Sequence, residues 1–210
     1  MSSPERVAAE ITSGLQRREF AVGQRLVEAD LTAKLGVSRS TIREALKILA
    51  ANGVVEIVPF RGAVIRGLTL DDARNLLAVL EALTGLAARL AAGKIDVGRN
   101  RSAFKSAAAP LIQPRPPGEL ERILDERARF YQTIFDIADN PELNRAMPTW
   151  RAHLFRSQFY AFLTKHDLRA MVSEYQQISD AILDGDASRA ERATRRHLIN
   201  SGERSFPHLS

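Results

Sequence analysis

The chain has 210 residues, which is enough for one large domain or two smaller ones. Its 30 Lys and Arg against 25 Asp and Glu give a net charge of +5, so any affinity for nucleic acid must come from the placement of charge. The chain contains no cysteine, which excludes disulfides and thiolate metal sites. The first residues lack the apolar core of a signal peptide, and the richest apolar window, 76–92, carries Glu81 and Arg89. We therefore expect a soluble, cytoplasmic protein without a membrane partner.

Two short helices joined by a tight turn are predicted in the first third of the chain. Leu31 and Leu35 share one face of the first helix, and Gly36 can end it in the left-handed conformation. Ser38 suits the N-cap of the second helix. That helix has an apolar stripe and a separate basic face, formed by Ile42, Leu46 and Leu49 and by Arg39, Arg43 and Lys47 respectively. This is the helix-turn-helix arrangement, in which the second helix enters a DNA groove.

The side chains of the second helix suit contact with DNA. Arginine can bond guanine bidentately or bridge phosphate oxygens. The hydroxyls of Ser40 and Thr41 suit phosphates. For an isolated basic helix the alternative is an ordinary solvated face, with Glu28 and Glu44 pairing the cations. The neighbouring elements favour DNA binding.

Those neighbouring elements complete a winged helix. They are a helix at 6–18 with Val7, Ile11 and Leu15 four apart, a strand at 54–58, the turn Pro59-Phe60-Arg61-Gly62, and a strand at 63–66. Arg61 and Gly62 lie at the tip of the predicted hairpin, where a cation and a residue that allows close approach can reach a neighbouring groove or backbone. Residues 1–70 are therefore predicted to form a winged helix-turn-helix domain.

The remainder, residues 71–210, has helical periodicity. Helices are predicted at about 69–92, 118–137, 141–163, 168–183 and 187–201. The proline-rich segment 94–118 is expected to be irregular or partly helical. The predicted fold is mainly α, with an N-terminal winged helix-turn-helix that has a small β-hairpin wing, and a C-terminal all-α helical bundle.

The first third resembles the DNA-binding domain of the GntR family of bacterial transcription regulators. The residues that carry this resemblance are Gly23-Gln24-Arg25-Leu26-Val27-Glu28, Leu35-Gly36-Val37-Ser38-Arg39, Ile42-Arg43-Glu44-Ala45-Leu46, Gly53-Val54-Val55 and Arg61-Gly62-Ala63-Val64. Val22 stands where the family usually has proline, and Thr32 where it usually has alanine. The resemblance and the hydroxyl chemistry together give the predicted DNA-binding residues Ser38, Arg39, Ser40, Thr41, Arg43, Arg61 and Gly62.

The rest of the chain resembles the helical effector domain of the FadR subfamily, called FCD. The residues that carry it are Leu86 to Ala92, Ile137 to Leu143, Asp180 to Asp186, and His197-Leu198. The subfamily commonly holds a divalent metal with an Asp and a His four residues apart on one helix and a His on each of the last two helices. Those positions fall on Arg127, Tyr131, Tyr175 and His197. Because only His197 is retained, we predict no metal and no other cofactor.

The residues that stand in place of the metal ligands predict a site for a small anionic metabolite. Arg127 can bind a carboxylate bidentately, with Tyr131, Tyr175 and His197 around it. Alternatively, the two tyrosines fill the volume and leave a constitutive regulator with a ligand-free bundle. An enzyme using Tyr131, Tyr175 and His197 for acid–base chemistry is a remote alternative, because no phosphate loop, nucleophile elbow or histidine pair accompanies them. An interaction adaptor using the Leu-rich helix 76–92 is a further alternative.

The predicted function is therefore DNA-binding transcriptional regulation and not catalysis. We expect a repressor whose affinity for operator DNA is controlled by a small carboxylate effector. We expect a homodimer, because two recognition helices one helical turn apart read a palindrome far better than one.

Overall fold

The structure is a computed structural model that describes residues 2–17, 19–113, 120–159 and 164–208. Its elements in chain order are α1 (Ser3–Gln16), β1 (Arg25–Leu26), α2 (Glu28–Leu35), α3 (Arg39–Ala51), β2 (Val55–Val58), β3 (Gly62–Ile65), α4 (Leu70–Gly93), α5 (Asn100–Ala108), α6 (Leu120–Ala138), α7 (Pro141–Ala146), α8 (Thr149–Phe159), α9 (Lys165–Leu183) and α10 (Ala187–Ser205). A short 3₁₀ turn, Phe206–His208, follows α10. The chain divides into two compact units, Met1–Asp72 with Pro148–Ala161, and Ala73–Met147 with Phe162–Ser210.

The first unit has its core between α1 and α3. Helix α1 begins three residues earlier than predicted, because Ser2 and Glu5 form a capping box in which each side chain accepts the other's backbone N–H. The predicted apolar positions of the first three helices are buried, except Leu35, which is half-buried; the buried ones are Val7, Ile11, Leu15, Leu31, Ile42, Leu46 and Leu49. The helical part of the winged helix-turn-helix is therefore as predicted.

The wing is a three-stranded antiparallel sheet with the strand order β1-β3-β2. Strand β3 pairs with β2 over four residues, from Val55 opposite Ile65 to Val58 opposite Gly62. Strand β1 was not predicted, because a strand of two residues has no detectable periodicity. It pairs with the other edge of β3, with Arg25 opposite Val64.

The prediction of a single helix at 141–163 is wrong, because the described residues form two helices, α7 and α8. Met147 is extended (φ −68°, ψ 119°) since it precedes Pro148, and proline disfavours helical backbone in the residue before it. Residues 160–163 of the predicted helix lie outside the described residues.

Helix α8 belongs to the first compact unit, where it packs against α1. The side-chain amide of Gln158 accepts from the backbone N–H of Leu68 (2.9 Å) and donates to its carbonyl (3.0 Å). Arg151 pairs with Asp72 at 3.1 Å. All of 71–210 is predicted to belong to the second domain, whereas α8 groups in space with the first unit. A division of function near residue 70 stays a prediction.

The second unit consists of the remaining helices. Its core combines small side chains on α4 with larger ones on α5, α6 and α9, including Ala87, Ala88, Ala91, Phe104, Phe130, Ile134, Ile178 and Ile182. Within the segment predicted as irregular or partly helical, residues 100–108 form α5, and residues 114–118 lie outside the described part. Helix α9 begins at Lys165 because Thr164 and Asp167 form a second capping box.

Helix α4 is long and apolar enough, by length and composition, to cross a membrane. However, half of its most apolar window is buried inside the structure, and Ala87, Ala88 and Ala91 have no exposed surface. A helix that is buried in this way is a core helix of the bundle.

Candidate DNA-binding surface and candidate effector site

The turn between α2 and α3 has the predicted conformation. Gly36 ends α2 with φ +64°, and its N–H donates to the carbonyl of Thr32 at 3.0 Å. Ser38 is extended, and its Oγ accepts from the N–H of Thr41 at 3.2 Å, so it is the N-cap of α3. Only three residues therefore separate the two helices, which fixes how α3 is presented.

Helix α3 has one buried face and one exposed face. Ile42, Ala45, Leu46 and Leu49 are buried in the first unit. The predicted DNA-binding side chains of this segment are exposed, apart from the half-buried Thr41; they are Ser38, Arg39, Ser40 and Arg43. The core thus holds α3 by one side and leaves the other side open.

Three hydroxyls cluster at the N-terminus of α3. The Oγ of Ser38 lies 2.8 Å from the Oγ of Ser40 and 2.8 Å from the Oγ1 of Thr41. The free N–H groups and the dipole of a helix N-terminus favour an anion. This arrangement suits a backbone phosphate.

The cations of α3 are partly paired, as the alternative interpretation required. The Nε of Arg43 donates to both carboxylate oxygens of Glu28, at 2.9 and 3.0 Å, and Lys47 pairs with Glu44 at 2.8 Å. Arg39 makes no ion pair with any described residue. Both pairs are solvent-exposed, and such pairs contribute about 0–1 kcal/mol, so DNA can replace them.

At the tip of the wing, Arg61 and Gly62 are both exposed, as predicted. The N–H of Arg61 donates to the carbonyl of Val58 at 3.1 Å and closes the turn. Phe60, beside them, is fully exposed with φ +63°. Phe60 is not among the predicted DNA-binding residues, although its place after Pro59 in a four-residue turn is the sequence signal that points to it.

In the second unit, the structure brings together the four predicted effector residues. The guanidinium carbon of Arg127 lies 5.2 Å from the ring centre of Tyr131, one turn further along α6. The rings of Tyr175, on α9, and His197, on α10, have centroids 4.8 Å apart. Arg127, Tyr175 and His197 are buried, and Tyr131 is half-buried. Their role as ligand contacts stays a prediction.

Glu174, which is not among the predicted effector residues, joins this group. Glu174 accepts from Nδ1 of His197 at 2.6 Å, from the amide of Asn200 at 2.6 Å, and from the two Nη atoms of Arg204 at 2.9 and 2.8 Å. His197, Asn200 and Arg204 follow one another at helical spacings of three and four on α10. That spacing was the signal that could have identified the cluster.

Burial and hydrogen bonding fix the charges in this cluster. Burial would raise the pKa of Glu174, but the bonds from His197 and Arg204 hold it at about 2. Burial lowers the pKa of His197 to about 4 despite that same bond, so its imidazole is neutral at pH 7. Burial also raises the pKa of the Tyr175 phenol, which Arg127 only partly opposes.

The ionised Glu174 determines the tautomer of His197. The Nδ1 must carry the proton that is donated to the carboxylate, which leaves Nε2 as a hydrogen-bond acceptor. This Nε2 is buried and has no hydrogen-bond partner within the described part of the chain. Buried polar atoms are normally paired, so the cluster has capacity for a ligand.

The residues at the subfamily's metal positions do not fit a metal. A guanidinium repels a cation, and a phenol whose pKa is raised does not supply a phenolate. Among the described residues, no three His, Cys, Asp or Glu side chains are grouped as a metal site requires.

The first unit is a winged helix with an exposed cationic recognition helix, which is the arrangement of a DNA-binding protein, and the second unit is a helical bundle that holds a buried polar cluster. Comparison with known families agrees: residues 4–65 match "Bacterial regulatory proteins, gntR family", and residues 75–200 match the "FCD domain". The chain belongs to the GntR family and carries an FCD domain, as in the FadR-type subfamily.

Known relatives are transcription regulators. A regulator from Streptomyces ambofaciens, named as an uncharacterized HTH-type transcriptional regulator in an unstable DNA locus, is 28% identical over 86% of this chain and 75% of its own length. The repressor RspR of Escherichia coli is 27% identical over 88% of this chain and 80% of its own. The solved structure of E. coli McbR/YncC has the same fold, with a TM-score of 0.87, 17% identity and full coverage of both chains.

The protein is therefore a DNA-binding transcriptional regulator and not an enzyme. The alternative in which Tyr131, Tyr175 and His197 perform acid–base catalysis is discarded. The predicted fold class is confirmed, with a three-stranded sheet in place of a simple hairpin.

Proposed function

We propose that the protein is a cytoplasmic, homodimeric repressor whose affinity for operator DNA is controlled by a small carboxylate effector bound in the helical bundle. The proposal of an effector rests on the buried cluster in which Arg127 lies beside Tyr175 and the neutral His197. The FCD domain supports a metabolite ligand, since domains of this type typically bind one. Relatives named as repressors support the direction of regulation.

On the DNA side, the operator is read by α3 and the wing. Arg39 and Arg43 lie on the exposed side of α3, where guanidinium groups reach base edges or phosphates. The hydroxyl cluster of Ser38, Ser40 and Thr41 holds a phosphate at the N-terminus of α3. Arg61 and Gly62 contact the backbone or groove next to it. A homodimer places two such units on the two halves of a palindrome.

On the effector side, two kinds of contact are available. The guanidinium of Arg127 is a donor that matches the two oxygens of a carboxylate. The Nε2 of His197 is an acceptor, so a hydrogen-bond donor on the same ligand would satisfy it. The hydroxyls of Tyr131 and Tyr175 can serve either role. The cluster thus favours a small ligand that carries both a carboxylate and a donor group.

The second candidate is a regulator that binds DNA constitutively. One observation favours it: Tyr175 has 1% exposed surface and packs edge-on against Phe130, with ring centroids 5.3 Å apart. Aromatic rings packed in this way can fill the volume that a ligand would need.

A thermal-shift screen of small carboxylates separates the two candidates. If an effector binds, at least one carboxylate raises the melting temperature, and the same compound changes affinity for DNA. Tyr175→Phe retains the ring but removes the hydroxyl, so it should weaken the shift without unfolding the bundle. Arg127→Ala should abolish it.

Arg192→Ala is the matched control, because Arg192 is an exposed arginine on α10. It should leave the thermal shift unchanged. A complete panel without a shift, together with unchanged DNA affinity in Tyr175→Phe, would favour the constitutive regulator. Analytical ultracentrifugation tests the homodimer directly, and a monomer at micromolar concentration would contradict it.

A further inference from the structure

The wing tip contains a side chain in an unfavourable position. The N–H of Arg61 bonds to the carbonyl of Val58, so Pro59 and Phe60 are the two central residues of a β-turn. Proline at the first central position and φ +63° at the second indicate a type II turn. The second central position of that turn favours glycine or asparagine, because a side chain at positive φ collides with its own backbone.

The exposure of the Phe60 ring to water is also unfavourable. Its relative exposure is 105%, so no described part of the chain covers the ring. A large aromatic side chain with both a strained backbone and a solvated ring contributes little to the stability of the free protein. Backbone strain of this kind concentrates where a ligand is contacted.

The hairpin holds this ring in a defined place. Strand β3 is bonded on both edges, to β1 and to β2, and its Ala63 and Ile65 are buried. The turn is closed by a hydrogen bond, and Gly62 then continues into β3 with φ +76°. The ring is therefore presented by a short, paired hairpin, with the guanidinium of Arg61 next to it along the chain.

We propose that Phe60 inserts as an apolar wedge into the minor groove of the operator, partly unstacking one base step and bending the duplex. This inference rests on the wing contacting DNA, as proposed above. With α3 in the major groove, the adjacent hairpin reaches the neighbouring minor groove. Apolar side chains placed there kink DNA by entering between base pairs. Arg61 neutralises phosphate beside the insertion.

The proposal has a consequence for sequence preference. Pyrimidine–purine steps such as TA and CA unstack most easily, so the operator should favour such a step where the wing tip lies. This preference arises without a hydrogen bond from Phe60 to any base.

The test compares Phe60→Gly and Phe60→Leu with the full-length wild-type protein. The DNA probe is a duplex of about 30 base pairs, about three helical turns, selected by the wild-type protein from a random library and labelled at both ends for resonance energy transfer. Affinity and end-to-end distance are measured on the same duplex. Melting temperature is measured on the free proteins.

Phe60→Gly should raise the melting temperature, because glycine relieves the positive φ, and should weaken binding by about tenfold, as expected for loss of one aromatic contact with bases. It should also reduce the bend. Phe60→Leu keeps an apolar wedge and should retain most of the bend. Ile57→Ser is the matched control, because Ile57 is an exposed apolar residue of the same hairpin away from its tip. This substitution should change neither the affinity for the duplex nor its bend.

Two results would overturn the proposal. The first is binding and bending of the duplex by Phe60→Gly to the same extent as by the wild type, which would show that the ring makes no contact that affects either. The second is a lower melting temperature of Phe60→Gly, which would show that the ring stabilises the free protein. Failure of the wild-type protein to select any duplex would instead contradict the proposed function itself.

Discussion

Glu174 accepts a hydrogen bond from Nδ1 of His197 at 2.6 Å, and this bond determines which ring nitrogen carries the proton. The same carboxylate binds the two Nη atoms of Arg204, so one residue joins an imidazole and a guanidinium on α10 to helix α9. The bond therefore acts both on the stability of the bundle and on the candidate effector site.

Glu174→Gln should destabilise the protein strongly. The substitution removes the negative charge while Arg204, whose side chain is 13% exposed, keeps its positive charge. Breaking such a buried pair costs about 3–5 kcal/mol. Urea unfolding measures the change. Glu81→Gln is the control, because Glu81 pairs with the half-exposed Arg195 and should lose at most about 1 kcal/mol. Equal losses in both variants would contradict the importance of the buried cluster.

Stability should fall in acid, beginning with His197. Its pKa is about 4 in the folded protein against 6.5 ordinarily, so the unfolded chain binds a proton that the folded one does not. The contribution of the neutral His197 to the free energy of unfolding is complete above pH 6.5 and is lost as the pH falls towards 4. Glu174, with a pKa of about 2 against 4.5, adds a further loss between those values. Melting temperature as a function of pH measures both.

His197→Gln should flatten the upper part of this pH profile. Among the described side chains, the other strongly shifted histidine is His153 on α8, whose pKa burial lowers to about 3. His153→Gln is therefore the matched variant, and each substitution should remove only its own part of the slope between pH 6.5 and 4. A profile that neither variant changes would show that these imidazoles do not control acid stability.

Arg43→Ala should weaken operator binding by about 1–3 kcal/mol if its guanidinium reads a base. The loss should be larger on the selected operator than on unrelated DNA. Lys47→Ala, one turn further along α3, serves as the comparison, since a phosphate contact would weaken all sequences alike and reduce the salt dependence by about one unit. Electrophoretic mobility shift at several salt concentrations distinguishes the two, and an Arg43→Ala affinity equal to the wild type would remove Arg43 from the interface.

Glu28→Gln tests what the ion pair with Arg43 does. The carboxylate binds the Nε of Arg43 at 2.9 Å and lies on the neighbouring helix, so it holds the guanidinium in place and also repels phosphate. Without it, affinity for unrelated DNA should rise and the ratio of operator to unrelated affinity should fall. A ratio that stays constant would show that Glu28 does not orient Arg43.

Gly36→Ala should destabilise the first unit by about 1–2 kcal/mol, because alanine at φ +64° collides with its own backbone. Gly93→Ala at the end of α4 is the control. Gly93 does not have positive φ, and a Cβ there meets nothing within 4 Å, so alanine should be neutral or slightly stabilising. Equal effects of the two substitutions would contradict the left-handed turn.

The sequence was most informative where local chemistry determines structure. Gly36 and Ser38 define the turn by themselves, and the stripe from Ile42 to Leu49 defines the buried face of α3. The prediction of one helix at 141–163 is wrong because Pro148 interrupts the helix although the apolar pattern continues across it. Strand β1 depends on pairing with β3, and the bonds from His197 and Arg204 to Glu174 depend on packing between α9 and α10. Such contacts between distant residues leave no pattern in one segment.

Rebuilding the subfamily's metal ligands should convert the candidate effector site into a metal site. Arg127→Asp with Tyr131→His and Tyr175→His would place an Asp and a His one turn apart on α6 and a histidine on α9, beside the existing His197. Elemental analysis after dialysis against zinc should find about one ion per chain in the triple variant and no stoichiometric metal in the wild type. Arg127→Asp alone is the control, because it removes the repelling cation without supplying nitrogen ligands. A wild-type protein that retains about one zinc or nickel per chain would show that the present residues hold a metal after all.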